Sequence, residues 1–329
     1  MKTVKFAFIG CGKIAYCHAD VIKHLGHTIE AVVARPGSVN IDGFAEKYAV
    51  GKKIYGVEGF LKYWGKSDNV IDCILVCTPW DVTEGVLRQL LPLGVPVMSE
   101  KPAVLSSAGL EYLKEKYETR NLFVAYNRRF YDFVPYLKEL MDSETCVCAD
   151  ILSAEPCEMS MKSQGEKVCE YMLYFYTSHV IDLMCYLFGD VEVKNAVSIA
   201  KGRKDSWVCE LYSAKRKCPI QLKILMDCPQ NSYFKIFLEE KVVEMCPFEK
   251  MVMYNDLERK ENQGKATYVP VAETEWHTED TFKPGFLNQM NYFIENFVYE
   301  KNSSLEHVEQ LEKVTLFCDT LIRLRRPYG

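Results

Sequence analysis

The chain has 329 residues, of which 48% are hydrophobic and 26% are charged, with only 18 Gly and 13 Pro. The length predicts two domains, or one large α/β unit with an appendage, and the composition excludes collagenous, coiled-coil and disordered classes. The 40 Lys and Arg against 45 Asp and Glu leave a net charge of −5, so we expect no nucleic-acid partner.

The 14 cysteines make up too small a fraction of the chain for a disulfide scaffold, and several of them lie inside apolar runs. They predict buried thiols in a reducing, cytoplasmic setting. Their spacing also lacks paired C-x-x-C motifs, so we expect no metal site.

Residues 171–189 have the length of a membrane span, but His179 and Asp182 near the centre favour a buried soluble helix, so we expect no membrane association.

The first third of the chain alternates short apolar runs with amphipathic stretches. The pattern predicts strands at residues 4–9, 29–34, 70–77, 95–98 and 122–125, and helices at 14–25, 43–48, 82–91 and 107–119. Such βαβ alternation is typical of a doubly wound parallel sheet with right-handed crossovers.

The pattern changes after about residue 125. Apolar and polar residues alternate at 207–213, 220–227 and 233–239, which predicts an antiparallel sheet with one wetted face. Helical segments are predicted at 168–188, 285–299 and 305–324. We therefore expect an α/β domain at residues 1–125 and an α+β domain at 126–329 with a large, mostly antiparallel open sheet.

The first predicted strand ends in a G-x-G-x-x-A turn, Gly10 to Ala15, that opens a helix. The first Gly permits the tight turn, the second lets a pyrophosphate approach, and the small Ala15 allows close packing. The helix N-terminus then favours the phosphates. We predict that a dinucleotide binds at Gly10, Gly12, Lys13 and Ile14. The alternative is a glycine turn with no ligand.

The second strand ends without the carboxylate that would accept a ribose 2′-hydroxyl. Arg35 and Ser38 follow it instead, and both suit a 2′-phosphate. We therefore predict NADP, with NAD as the alternative because Arg35 would equally stack on the adenine. An Arg35 with no role in binding is the remaining interpretation.

Two further motifs fall at the carboxyl ends of predicted parallel strands, where such sheets bind ligands. They are Thr78-Pro79 and Glu100-Lys101-Pro102. We expect Thr78, Pro79, Glu100 and Lys101 to contact the cofactor, with Lys101 as a proton donor or electrostatic clamp. A solvated surface lysine is the alternative.

Together with Tyr126-Asn127-Arg128-Arg129-Phe130 and an H-x-x-D at His179–Asp182, these motifs resemble the Gfo/Idh/MocA family of NAD(P)-dependent sugar oxidoreductases. The resemblance implies an N-terminal Rossmann domain and a C-terminal domain with an open antiparallel sheet, through which a homodimer or homotetramer assembles. It also implies that Lys101 and His179 face the nicotinamide.

The chain departs from the family pattern at three positions. Phe175 and Thr177 stand where many members have the Asp and Gly of D-x-G-x-H, and Thr83 stands where many have a His. The departures favour the branches that rely on Lys and His alone, including nucleotide-sugar 3-dehydrogenases and ketosugar reductases.

The spacing of Phe175, His179, Asp182 and Tyr186 predicts one shared helix face. A neutral imidazole suits a general base for a secondary alcohol, and the Lys101 cation favours the developing alkoxide. Asp182 or Tyr186 would orient the imidazole or the substrate. The alternative is a core His179 bonded to Asp182.

We expect the substrate to contact Lys101, Tyr126, Asn127, Arg129 and Asp182. Arg128 and Arg129 offer bidentate donors for a carboxylate or phosphate, and a salt-bridged pair is the alternative. The predicted reaction is hydride transfer between nicotinamide and a carbinol or ketone carbon of a sugar, cyclitol or nucleotide-sugar. The rival functions are a redox-neutral NAD-dependent glycoside hydrolase and a non-catalytic protein that senses a dinucleotide or sugar.

Overall fold

The computed structural model describes residues 2–66, 70–201, 204–263, 265–301 and 305–325. The chain forms two compact units. The first comprises residues 1–130 with 280–316, and the second comprises 131–279 with 317–329. The sequence placed the first boundary at residue 125, close to this division, but it assigned 280–316 to the second domain.

Six parallel strands of the described residues form the sheet of the first unit, in the order β3-β2-β1-β4-β5-β6. The strands are β1 Lys5–Ile9, β2 Thr28–Ala34, β3 Lys52–Tyr55, β4 Cys73–Val76, β5 Val97–Ser99 and β6 Leu122–Val124. The helices of this part are α1 Lys13–His24, α2 Asn40–Tyr48, α3 Val57–Trp64, α4 Thr83–Leu90 and α5 Ser107–Lys116. The predicted doubly wound parallel sheet is confirmed. Its order reverses between β1 and β4, the point where such sheets bind ligands.

Burial explains which strands the sequence could predict. β4 is buried along its whole length and β1 almost so, and both read as continuous apolar runs. The edge strand β3 is largely exposed and carries two lysines, so it gave no apolar signal. Strand β3 and the short helix α3 after it were therefore missed.

The closing segment explains why 280–316 belongs to the first unit. It contains α9 Phe286–Phe293 and a π-helical stretch, Ile294–Tyr299. Phe286, Met290 and Phe293 recur at helical spacing and are at most 2% exposed, and they pack into the same core as Phe8 of β1. Burying this apolar face is the physical reason for the difference from the predicted domain boundary.

The second unit is built on an eight-stranded sheet of the described residues, in the order β14-β13-β12-β11-β7-β10-β9-β8. Only β7 and β10 pair in parallel there, so the predicted mostly antiparallel sheet is confirmed. The strands are β7 Cys146–Glu155, β8 Val191–Lys201, β9 Lys204–Ser213, β10 Cys218–Met226, β11 Tyr233–Leu238, β12 Val242–Met245, β13 Lys250–Asn262 and β14 Lys265–His277. The remaining helices are α6 Val134–Ser143, α7 Cys157–Gln164, α8 Ser178–Phe188 and α10 Glu306–Leu324.

The long helix predicted at 168–188 is divided into three segments. A 3₁₀ segment covers Glu166–Tyr171, a π-helical segment covers Leu173–Thr177, and α8 begins at Ser178. A π-helical turn holds more residues than an α-helical one, so it changes which side chains share a face. His179, Asp182 and Tyr186 lie within α8, whereas Phe175 lies in the π-helical segment and packs on the small cluster of Cys157, Cys169 and Met172, so a face that includes Phe175 stays a prediction.

Candidate active site

Gly10 holds the tight turn at the end of β1. Its φ is +103°, and an added Cβ would lie 2.3 Å from the carbonyl oxygen of Cys77. Its N–H donates to the Val33 carbonyl at 2.8 Å. A residue with a side chain would meet both backbone strain and a clash, so only glycine fits this crossing between the ends of neighbouring strands.

Gly12 leaves an open approach to the N-terminus of α1. Its φ is −77°, and an added Cβ would meet no atom of the described residues within 4 Å. Gly12 is the helix N-cap, and no described side chain caps the helix. The exposed Lys13 adds a positive charge where the helix dipole is already positive. An open cradle with this charge suits a pyrophosphate, so the residues present fit a dinucleotide.

The end of β2 lies next to this turn. The Ser38 hydroxyl is 3.8 Å from the Cys11 thiol, within reach of a weak hydrogen bond. Burial raises the pKa of Cys11, and the contact with Ser38 offsets part of that rise. Arg35 is exposed just beyond the strand. The loop after β2 is thus placed beside Gly12, where the ribose of a dinucleotide bound on α1 is expected.

The Thr78-Pro79 turn is fixed by Thr83. The hydroxyl oxygens of Thr78 and Thr83 lie 2.9 Å apart, and Thr83 also donates to the Pro79 carbonyl at 3.0 Å. Thr83 is only 2% exposed. The residue that replaces the family His therefore stabilises the turn beyond β4.

Glu100 follows β5 and is held by a histidine that the sequence reasoning missed. His18 Nε2 of α1 lies 2.8 Å from Glu100 Oε1, and the imidazole is 1% exposed. The ring stacks on Phe286, with centroids 4.4 Å apart. Glu100 Oε2 accepts the backbone N–H of Lys101 at 3.3 Å. The carboxylate predicted to contact the cofactor thus holds the backbone of Lys101.

The surroundings of Glu100 favour its ionised form. Burial by itself would raise its pKa, but the hydrogen bond from His18 and the charges of His18, Lys283 and Lys101 hold the pKa below its ordinary value. No motif around position 18 pointed to this pairing, because it depends on how α1 crosses the end of β5.

The segment after β6 is bonded to the closing segment. The Asn127 amide donates to the Pro284 carbonyl at 2.8 Å. The Gln289 amide, oriented to satisfy its neighbours, accepts the N–H groups of Tyr126 and Asn127 at 3.3 and 3.2 Å. Tyr126 and Asn127 are both buried. One amide donor of Asn127 is therefore used within the first unit, and substrate contact by these two residues stays a prediction.

Arg129 is buried beside a histidine. The Arg129 side chain is 8% exposed. The burial of His307 and the positive charge of Arg129 together lower the pKa of His307 to about 3. His307 also lies 2.9 Å from the hydroxyl of Tyr292. The charge of Arg129 thus acts on a residue of the closing segment, and its predicted contact with a substrate stays a prediction.

His179 and Asp182 lie in the first turns of α8, in the second unit. Asp182 is fully buried and His179 is half-buried. Tyr186 is one turn further on, with the Lys138 ammonium 3.8 Å from its ring centroid. These three residues keep the helical spacing that predicted a common face.

A buried carboxylate near this helix was also missed. Glu155 ends β7 and is 1% exposed, and its Oε1 accepts the Thr177 hydroxyl at 2.9 Å. Thr177, which stands where many family members have a Gly, is thus the donor to this carboxylate. In the sequence, Glu155 is marked only by its place at the end of a half-apolar stretch. This pattern is too common to identify a functional residue.

All fourteen cysteines are free thiols, and ten of them are buried. Within the described residues, no group of three or more His, Cys, Asp or Glu side chains is placed to hold a metal ion. No helix of the described residues is long and apolar enough to cross a membrane.

Residues 4–128 match the model of a family described as "Oxidoreductase family, NAD-binding Rossmann fold", GFO_IDH_MocA. These residues belong to the Gfo/Idh/MocA family. The match covers the whole G-x-G-x-x-A turn, the motifs around Thr78 and Lys101, and the segment through Arg128, so the resemblance seen in the sequence is confirmed for the Gfo/Idh/MocA domain.

Similarity extends beyond the Gfo/Idh/MocA domain. The chain is 26% identical over 206 residues to Oxidoreductase P35 of Formosa agariphila, a match that covers 57% of this chain and less than two thirds, 62%, of that protein. An oxidoreductase structure from Thermotoga maritima covers 98% of this chain and 96% of its own at a TM-score of 0.77 and 18% identity. A levoglucosan dehydrogenase in complex with NADH covers 98% and 96% at a TM-score of 0.75 and 12% identity. At these identities the structures establish the fold.

Proposed function

We propose that this protein is an NAD(P)-dependent oxidoreductase that transfers a hydride between nicotinamide and a carbinol or ketone carbon of a sugar, cyclitol or nucleotide-sugar. The observation that carries the proposal is the uncapped N-terminus of α1 behind Gly12, within residues that match an NAD-binding oxidoreductase family. The similarity to a levoglucosan dehydrogenase supports a sugar-like substrate.

NADP(H) is the preferred cofactor in this proposal. Gly10, Gly12, Lys13 and Ile14 hold its pyrophosphate, because the turn is open and positively charged. Arg35 and Ser38 follow β2 and bind the 2′-phosphate, for which a guanidinium is a strong partner. Thr78, Pro79 and the Glu100-Lys101 pair, at the ends of β4 and β5, flank the nicotinamide side. The bound nicotinamide ring would accept or supply the hydride.

Lys101 stabilises the negative charge that develops on the reacting oxygen. Its backbone N–H is bonded to the Glu100 carboxylate, which His18 in turn holds. A fixed backbone limits the positions that the ammonium group can reach, and preorganised charge stabilises a transition state without first having to reorient.

His179 accepts the proton of the substrate hydroxyl during oxidation and returns it during reduction. Asp182, three residues later on the same helix, orients the imidazole or a substrate hydroxyl. Tyr126, Asn127 and Arg129 provide the remaining substrate contacts in this proposal. The bonds of Tyr126 and Asn127 to the closing segment support a rigid binding surface.

The test begins with the nucleotide that copurifies with the protein, released by denaturation and identified by mass. The absorbance of reduced nicotinamide is then followed with panels of sugars, cyclitols and nucleotide-sugars, with Lys101→Met as the inactive control. A net change that Lys101→Met abolishes supports the proposal. Cleavage of a glycoside without net change indicates the redox-neutral hydrolase, and ligand binding without turnover indicates a sensor.

We further propose a homodimer or homotetramer assembled through the open sheet. Support comes from exposed apolar side chains on its strands, with Ile199, Leu257 and Tyr268 each more than half exposed. Light scattering coupled to size-exclusion chromatography measures the mass, and a monomer at all concentrations contradicts this part of the proposal.

A further inference from the structure

A buried hydrogen-bonded cluster ties the central strand of the second unit to the start of α8. The Glu155 Oε1 atom accepts the Thr177 hydroxyl at 2.9 Å and the Ser153 hydroxyl as well. All three side chains are at most 1% exposed. The oxygen of a carboxyl group accepts hydrogen bonds and each hydroxyl supplies one donor, so both bonds can form at the same time.

The cluster joins a strand inside the sheet, which carries Glu155, to the start of α8, which carries Thr177. β7 pairs with β10 on one side and with β11 on the other, and Glu155 itself is in register with Met226, so the strand is a rigid base. Thr177 is the last residue of the π-helical segment and the N-cap of α8. The bond from Thr177 to Glu155 therefore fixes the first turn of α8 against the sheet.

His179 lies in that first turn, two residues after Thr177. A rotation or shift at the N-cap moves the imidazole directly, whereas the far end of α8 is held separately by Ser213, which donates to the Phe188 carbonyl at 2.6 Å. We propose that Glu155 is a positioning residue that acts through Thr177 to fix the His179 imidazole. This inference rests on the proposed function, in which His179 moves the substrate proton.

The first experiment uses a matched set of variants in the full chain. Thr177→Val keeps the shape of the side chain and removes the donor, whereas Thr177→Ser keeps the donor. Ser213→Ala is the control, because it removes a buried hydrogen bond at the other end of the same helix. For each variant we measure kcat, the sugar KM, the dinucleotide Kd and the Tm.

We expect Thr177→Val to lower kcat by about 10- to 100-fold, the usual cost of misplacing a catalytic group. Dinucleotide affinity should not change, and Thr177→Ser should recover most of the rate. Ser213→Ala should lower the Tm without changing kcat. If Thr177→Val behaves like Ser213→Ala, Glu155 supports only the fold and the inference is overturned.

A second measurement does not depend on turnover. The His179 imidazole is titrated by NMR in the wild type, Thr177→Val and Glu155→Gln, with its resonance assigned from its absence in His179→Asn. We expect the titration midpoint to be displaced in both variants and restored in Thr177→Ser. If no sugar reacts with the wild type, the proposed function fails, and this titration still decides the positioning role. An unchanged midpoint in Thr177→Val overturns that role.

Discussion

His18 Nε2 lies 2.8 Å from Glu100 Oε1, so a side chain of the first helix holds the carboxylate that binds the backbone of Lys101. The imidazole is packed against Phe286 of the closing segment, at a centroid distance of 4.4 Å. Three separate parts of the chain therefore meet behind the proposed catalytic lysine. Loss of His18 would leave a largely buried carboxylate without its main partner.

We expect His18→Leu to lower both stability and turnover. A hydrogen bond to a charged group contributes about 1.5–3 kcal/mol, so the free energy of unfolding in urea should fall by about that amount. His18→Gln keeps a donor for Glu100 and should recover most of both losses. Equal turnover in His18→Leu and the wild type would show that the pair does not position Lys101.

Gly12→Ala and Gly10→Ala should separate ligand binding from folding. A Cβ added at Gly12 meets no described atom, so the stability cost should stay below about 1 kcal/mol, while dinucleotide affinity should fall at least about tenfold because the methyl group occupies the approach. A Cβ added at Gly10 would sit on a strained φ and clash with Cys77, costing at least about 1–3 kcal/mol. Calorimetric titration and thermal unfolding measure the two effects. Unchanged affinity in Gly12→Ala contradicts the binding site.

Lys101→Met should leave dinucleotide affinity nearly intact and lower turnover by about 10²–10³-fold, because its charge acts mainly in the transition state. His179→Ala should lower turnover by roughly 10²–10⁴-fold, the usual contribution of a positioned acid–base group. Steady-state kinetics with parallel dinucleotide titrations measure both. Affinity lost together with turnover would make Lys101 a binding residue, and a lower Tm with full activity would place His179 in the core.

Arg35→Ala should remove most of a preference for NADP(H). A charge-assisted hydrogen bond to the 2′-phosphate contributes about 1.5–3 kcal/mol, equivalent to roughly ten- to a hundred-fold in affinity. Fluorescence titration of both reduced dinucleotides against the wild type and the variant gives the two ratios. If the wild type prefers NAD(H) and the variant weakens both equally, Arg35 stacks on the adenine and the NADP assignment is wrong.

His307 should make the first unit sensitive to acid. Burial and the charge of Arg129 lower its pKa to about 3, so the folded state keeps the ring neutral while the unfolded chain takes up a proton near pH 6.5. The stability that this group contributes is present above the unfolded pKa and is lost as pH falls from about 6.5 towards about 3, by at most about 1.4 kcal/mol per pH unit.

His307→Gln removes the titration and keeps a polar partner for Tyr292. The variant should therefore lose less stability than the wild type between about pH 7 and about pH 5, as measured by urea unfolding at each pH. If the free energy of unfolding depends on pH identically in the two proteins, His307 takes up its proton in the folded state as readily as in the unfolded chain.

The sequence was most informative where one local pattern determines one local structure. The turn at Gly10 and Gly12, the buried runs of β1 and β4, and the spacing of His179, Asp182 and Tyr186 all depend on neighbouring residues, and each was predicted. The exposed edge strand β3 carries no such pattern and was missed.

The features that the sequence could not give depend on contacts between distant residues. His18 and Glu100 are 82 positions apart, and Thr177 and Glu155 are 22 apart. Nothing near either residue of a pair specifies the other. The segmentation of the helix before His179 was also missed, because an apolar run reads alike for α- and π-helical turns.

Residues 280–316 belong to the first unit but are synthesised long after residues 1–130, so the order of synthesis affects how this unit folds. While the ribosome is still extending the chain past residue 130, the aromatic face formed by Phe286 and Phe293 does not yet exist, and the core around Phe8 and Phe123 stays uncovered. The first unit therefore completes its folding only after nearly the whole polypeptide has emerged. A ribosome that stops early leaves an apolar surface exposed to chaperones and to aggregation.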